Sequence, residues 1–194
     1  AVRRDALAHR HYFVGQTLRK MGDRDGALAS FGRSLAINSE LMAAEPKNPD
    51  YRQAAAVAYL KIGDVHFDAG DAATALSFHQ KASEVLTSPP GETADVPVKR
   101  ELALFLNRIA IDRRALGDLG EAVASDLKAI AMQEEIARLD PQNEQSSLDL
   151  ANYRQSLAAS YQKLGKRSDA AGLLAKAVAV YEDSLRKNPS DAEV

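Results

Sequence analysis

The chain contains no cysteine and no tryptophan, and aromatic residues make up only 6% of it. The first absence excludes disulfide staples, thiolate metal sites and cysteine nucleophiles, and it fits the cytoplasm and the periplasm equally. Charge of one sign is also lacking: 25 Lys and Arg stand against 27 Asp and Glu, for a net −2. Such a balance argues against a dedicated nucleic-acid binder, whose affinity would come from a basic surface. No run approaches the roughly 18 consecutive apolar residues of a membrane span, so direct membrane contact is not expected. The start, Ala1-Val2-Arg3-Arg4-Asp5, runs straight into a charged helical pattern rather than a leader. With no initiator methionine and no evident end, the chain reads as a segment of a longer protein.

What is abundant is alanine, within 45% hydrophobic residues, set in a repeating frame. Gly22, Gly70, Gly117 and Gly165 recur at intervals of 48, 47 and 48 residues, and each is followed five residues later by an alanine: Ala27, Ala75, Ala122, Ala170. A period so regular marks a solenoid, one supersecondary unit stacked on copies of itself. Apolar residues recur at three- and four-residue spacing, without sustained alternation, so the units are helical. Glycine suits the left-handed end of a helix, and the Asp or Ser that follows it offers an oxygen to the next helix start, as in Gly22-Asp23 and Gly70-Asp71.

A second mark closes three of the four hairpins. Pro46, Pro141 and Pro189 each fall 24 residues after their turn glycine, where proline stops the second helix. In the second repeat Ala94 takes that place, and the junction is Thr87-Ser88-Pro89-Pro90-Gly91-Glu92-Thr93. A shorter second helix and a longer, more mobile connection are expected there. The fold predicted is all-α: eight helices near 2–21, 23–45, 49–69, 71–87, 96–116, 118–139, 143–164 and 166–187. They form one array over 1–194, with repeats of about 1–46, 47–94, 95–141 and 142–189.

Aligned on its turn alanines, the chain resembles the tetratricopeptide repeat, W-x2-L-G-x2-Y…A-x3-F…P. Val14-Gly15, Ile62-Gly63, Ile109-Ala110 and Leu157-Ala158 fall on the leucine–glycine pair, and Leu18, His66, Arg113 and Tyr161 on the tyrosine. Phe31 and His79 hold the phenylalanine place; Arg113, Asp126 and Arg154 depart from the aromatic consensus. The usual repeat has 34 residues, so about seven extra fall on each helix here, close to the 7.2 of two full turns, and the contact faces keep their direction. This long form, with its G-D turns and D-P-x-N stops, is similar to arrays in large bacterial multidomain signalling proteins, among them the C-terminal regions of Ser/Thr kinases. No kinase motif is present.

The resemblance implies an α–α superhelix whose concave groove takes a protein or peptide, and no cofactor. Carried over to this chain, its ligand positions hold His9, Tyr12, Gln16 and Arg19, then Leu60, Asp64 and Phe67. Asn107, Arg108, Ile111 and Arg114 follow in the third repeat, and Asn152, Gln155 and Gln162 in the fourth. The Lys/Asn set that clamps a C-terminal carboxylate in some members is not reproduced; Asn107, Arg108 and Arg114 come nearest to an anion-reading cluster. An aromatic anchor for a peptide falls to Tyr12 or Phe67.

Metal and catalytic chemistry find little support. His9 and His11 are two apart and point about 200° from each other on a helix, so they cannot chelate one ion. His66 and His79 face each other across a hairpin and could hold zinc only with help from Asp64 or Asp68, a packed core pair being the competing expectation. Without a glycine loop or nucleophile elbow, carboxylate pairs such as Glu134-Glu135 read as solvated faces, and no enzyme is expected. The leading expectation is thus a non-catalytic interaction module. A regulatory or sensor arm of a larger signalling protein is the alternative, and self-association through bare end faces, carrying Leu7 and Phe13, is a third possibility.

Overall fold

A computed structural model describes residues 2–87 and 95–187. Among them are eight α-helices: α1 (Val2–Lys20), α2 (Arg24–Ala44), α3 (Pro49–Asp68), α4 (Ala72–Thr87), α5 (Val96–Leu116), α6 (Leu119–Leu139), α7 (Glu144–Lys163) and α8 (Arg167–Lys187). Every end lies within one residue of the boundary predicted from sequence. The chain divides into two compact units, residues 1–93 and 94–194, each made of two antiparallel hairpins. The second hairpin's closing helix, α4, is short at 16 residues against 21 for α2, α6 and α8, as its missing proline implied. The junction 88–94, expected to be mobile, and the stop at Pro189 lie outside the described residues.

The hairpin bends are set by backbone chemistry. Among the described residues, Gly22, Gly70, Gly117 and Gly165 are those at positive φ, between 75° and 90°, where an L side chain is strained. At each bend the N–H after the glycine reaches back five residues, Asp23 to Leu18, Asp71 to His66, Asp118 to Arg113 and Lys166 to Tyr161, closing the helix end. Asp23 then caps α2 through Gly26 N–H at 2.9 Å, and Asp71 bonds the Thr74 N–H at 3.1 Å. Asp118 holds the same place before α6 but makes no side-chain bond to the helix start.

In the first unit, Ala27, Phe31, Ile62 and Val65 form the core, with Tyr12, Leu18, Leu28, Leu35 and Phe78 packed around it. In the second, Ala103, Ala129, Ile130, Leu150, Tyr153 and Leu157 play that part, flanked by Leu106, Val123, Met132, Tyr161 and Leu173. The four turn alanines are buried between paired helices. The chain is therefore all-α, four hairpins built to one pattern, with α2 stacked on α3 and α6 on α7.

Candidate functional site

In the first unit, Asp5, His9, Tyr12, Gln16 and Arg19 recur at three- and four-residue spacing along one face of α1. That face looks across at α3, and the two helices leave open space between them. A cavity of about 450 Å³ is lined by Asp5, His9 and Tyr12 of α1, Ser34 and Asn38 of α2, and Asp50, Gln53, Ala54 and Val57 of α3. A second, of about 270 Å³, is lined by Gln16, Arg19, Lys20, Lys61 and Asp68. So His9, Tyr12, Gln16 and Arg19, all read from sequence as ligand positions, do line cavities.

Tyr12 is held by rings: Phe13 lies at 5.6 Å edge-on, Phe31 at 6.0 Å, and His9 at 6.4 Å in a stacked arrangement. Its hydroxyl is pushed above the ordinary tyrosine value, chiefly by partial burial, while a bond to Gln16 opposes the shift. The α3 positions behave differently. Leu60 is buried, and Phe67 is half-buried. Asp64 is turned inward: it accepts bonds from Arg19 Nη1 and Lys61 Nζ, both at 3.1 Å, and lies 3.7 Å from Nε2 of the buried His79. Arg19 also donates from Nε to Asp68 at 2.6 Å, the chief reason its pKa is raised. Asp64 thus joins α1, α3 and α4, and Arg19 closes the second cavity's rim.

His66 stacks on Phe78, centroids 5.5 Å apart and planes 9° apart, and lies 3.5 Å from Asp71. His79 is buried against Asp64 instead. The two histidines are thereby given separate acidic neighbours, and no set of three His, Asp or Glu residues among the described residues is placed to hold a metal ion.

In the second unit two of the positions read as an anion-reading cluster, Asn107 and Arg114, make their bonds within the fold. Asn107 Nδ2 donates to Asp126 Oδ1 at 3.0 Å. Arg114 Nη1 donates to the Ser156 carbonyl at 3.0 Å and to the Ser156 and Ser160 hydroxyls at 3.1 Å, and lies 3.7 Å from Asp126 Oδ2. Burial pushes Asp126 up to about 6, against the lowering pull of Ser156, Asn107, Arg114 and Ser160. This node ties α5, α6 and α7 together, so the Arg114 guanidinium is engaged within the fold. Arg108 and Ile111 are half-buried, and Gln155 and Gln162 are exposed. Asn152, also exposed, accepts the Tyr181 hydroxyl at 2.7 Å.

The sequence reading missed Asp5, Ser34, Asn38, Asp50, Gln53, Ala54 and Val57. Ser34 and Asn38 escaped because contacts were placed on first helices only, whereas α2 supplies the floor of the 450 Å³ cavity. A signal existed: Ala27, Phe31, Ser34, Asn38 and Leu41 share one inward register, and two of them are polar.

A family model described as tetratricopeptide repeat matches residues 150–189, the last hairpin. Among solved structures, the chain is similar to BtubC (BKLC) from P. vanneervenii, with a TM-score of 0.72 at 16% identity over 93% of this chain. Its fold is the tetratricopeptide-type helical repeat. The apo form of RapI gives a TM-score of 0.72 at 14% identity, and aspartyl phosphate phosphatase F from Bacillus subtilis 0.69 at 15%, each again over 93% of this chain. The chain spans 65%, 44% and 42% of those three structures, and at such identities the likeness is one of fold. No curated protein matches the sequence. Among the described residues, no helix is long and apolar enough to cross a membrane.

Proposed function

We propose that this tetratricopeptide-type chain is a non-catalytic binding module that takes a protein or peptide segment along the α1–α3 face of its first unit. The observation that carries the reading is the 450 Å³ cavity open between α1 and α3 and floored by α2, with Tyr12 as a ring-braced aromatic on its wall. Aromatic anchors held rigid beside a concave face bind at low entropic cost. The near balance of charge favours a protein partner over nucleic acid or an anionic membrane. The same face would serve a regulatory arm of a larger signalling protein.

The test is selection of random dodecapeptides on the immobilised chain, with re-assay on Tyr12→Ala and Gln16→Ala. Peptides bound by the parent and weakened about tenfold by Tyr12→Ala would support this face, such a loss being what an aromatic anchor supplies. Binders indifferent to both substitutions would move the site elsewhere.

A second reading, self-association, is favoured by the outer surface of α1, where Leu7, Phe13 and Val14 are about half exposed. Sedimentation over a hundredfold range of concentration tests it, and a constant monomer mass would remove it.

A further inference from the structure

The lining of the 450 Å³ cavity has a chemistry that selects among peptides. It carries two carboxylates, Asp5 on α1 and Asp50 at the start of α3; no lysine or arginine lines it, and His9 is the one basic side chain in the wall. Both carboxylates stand exposed at the rim. They act as a field on their surroundings: the nearby Tyr51 hydroxyl is raised above its ordinary value, by desolvation first and then by Glu45, Asp5 and Asp50.

The floor supplies a second, independent observation. Asn38 is 3% exposed, and its Nδ2 reaches the buried Ser34 hydroxyl at 3.5 Å, while its Oδ1 accepts no hydrogen bond. A buried carbonyl without a donor costs free energy, and native folds rarely leave one so. Oδ1 itself is closed off from the cavity, so an N–H delivered deep into it would satisfy this oxygen once the Asn38 amide turns toward the opening. Between rim and floor stands the Tyr12 ring, whose face attracts an organic cation.

We infer that this cavity is a subsite for a basic side chain, lysine or arginine, of the bound peptide. The inference rests on the α1–α3 face being the peptide-binding face. In this arrangement Asp5 and Asp50 balance the charge, Tyr12 covers the alkyl stem or guanidinium plane, and Asn38 Oδ1 accepts one N–H. An acidic side chain would meet the like charges of two carboxylates. A neutral apolar one would leave Asn38 unpaired.

The experiment uses the 194-residue chain and the peptides selected on it. Expected is a basic residue fixed at one position, whose exchange for norleucine or citrulline weakens binding about tenfold, as loss of a charge-assisted hydrogen bond does. Asp5→Asn and Asp50→Asn lie on the exposed rim and keep the fold; each should weaken binding, as should Asn38→Leu, checked by circular dichroism. Peptides lost on Tyr12→Ala, yet free of a basic preference and indifferent to the Asp variants, would overturn the cation subsite and leave the peptide face standing. If no Tyr12-dependent peptide is selected, the peptide reading fails, and NMR of the Asn38 side-chain amide decides the subsite alone. A shift with agmatine or n-butylamine, absent with n-butanol, would sustain it, the two amines separating arginine-like from lysine-like recognition. No shift with either would end it.

Discussion

Gly63 lies so close under the ring of His79 that a Cβ built on it would come within 2.5 Å of the imidazole. Gly15 stands in the same relation to Phe31, at 2.7 Å. At the same 16-residue offset the third hairpin carries Ala110 and Asp126, both buried. In the first two hairpins a buried ring opposes glycine because no larger residue leaves it room.

Gly63→Ala should therefore destabilise the first unit by about 1–3 kcal/mol, because the buried His79 has no free space to withdraw into. Urea unfolding with circular dichroism measures it. Gly32 and Gly172 are the controls, since a Cβ there meets nothing within 4 Å. Both lie inside helices, and alanine at either should stabilise by about 0.5–1 kcal/mol. A loss at Gly32 equal to that at Gly63 would refute the packing account.

Asp126 makes stability depend on pH in an unusual direction. Its carboxyl is raised from 3.8 to about 6, so between about pH 4 and 6 the folded state holds a proton that the unfolded chain has released. This contribution is intact below that window and is lost as pH rises through it, to a total of about 3 kcal/mol. Asp126→Asn removes the titration. The stability of the parent relative to this variant should fall by about that amount from pH 4 to pH 7. Parallel profiles would show that Asp126 titrates normally.

Removing Arg114 tests whether that side chain serves the fold. Arg114→Ala strips Ser156, Ser160 and the buried Asp126 of their shared cation. A cost of about 3 kcal/mol is expected, typical of breaking a buried pair from one side. A variant of unchanged melting temperature would return Arg114 to the pool of ligand-binding candidates.

The caps separate residues that look alike in sequence. Asp23→Ala and Asn143→Ala each remove a bond to a helix N–H, at 2.9 Å and 3.0 Å, and should cost about 1 kcal/mol. Asp118→Ala removes no such bond and should cost only a few tenths, the helix-dipole share. Thermal melts of the three variants compare them directly, and equal losses would contradict the distinction.

The helices, their bends and their period were legible because they are written in local chemistry. Glycine at positive φ, proline after a helix and apolar spacing near 3.6 act on neighbours within one or two turns, and the short α4 follows from the same logic. That Tyr12, Gln16 and Arg19 share one face of α1 follows from similarly local geometry, since 100° per residue puts them there. What a face looks onto is another matter. Leu60, Asp64, Asn107 and Arg114 stand at equivalent positions on their helices, yet they are drawn into cores or polar nodes by His79, Asp126, Ser156 and Ser160, which lie on other helices. Asn38 reaches the cavity floor from α2 only because α1 and α3 stand apart above it. Helix pitch sets the direction of a side chain, and the packing of distant segments sets whether that direction ends in a partner or in open space.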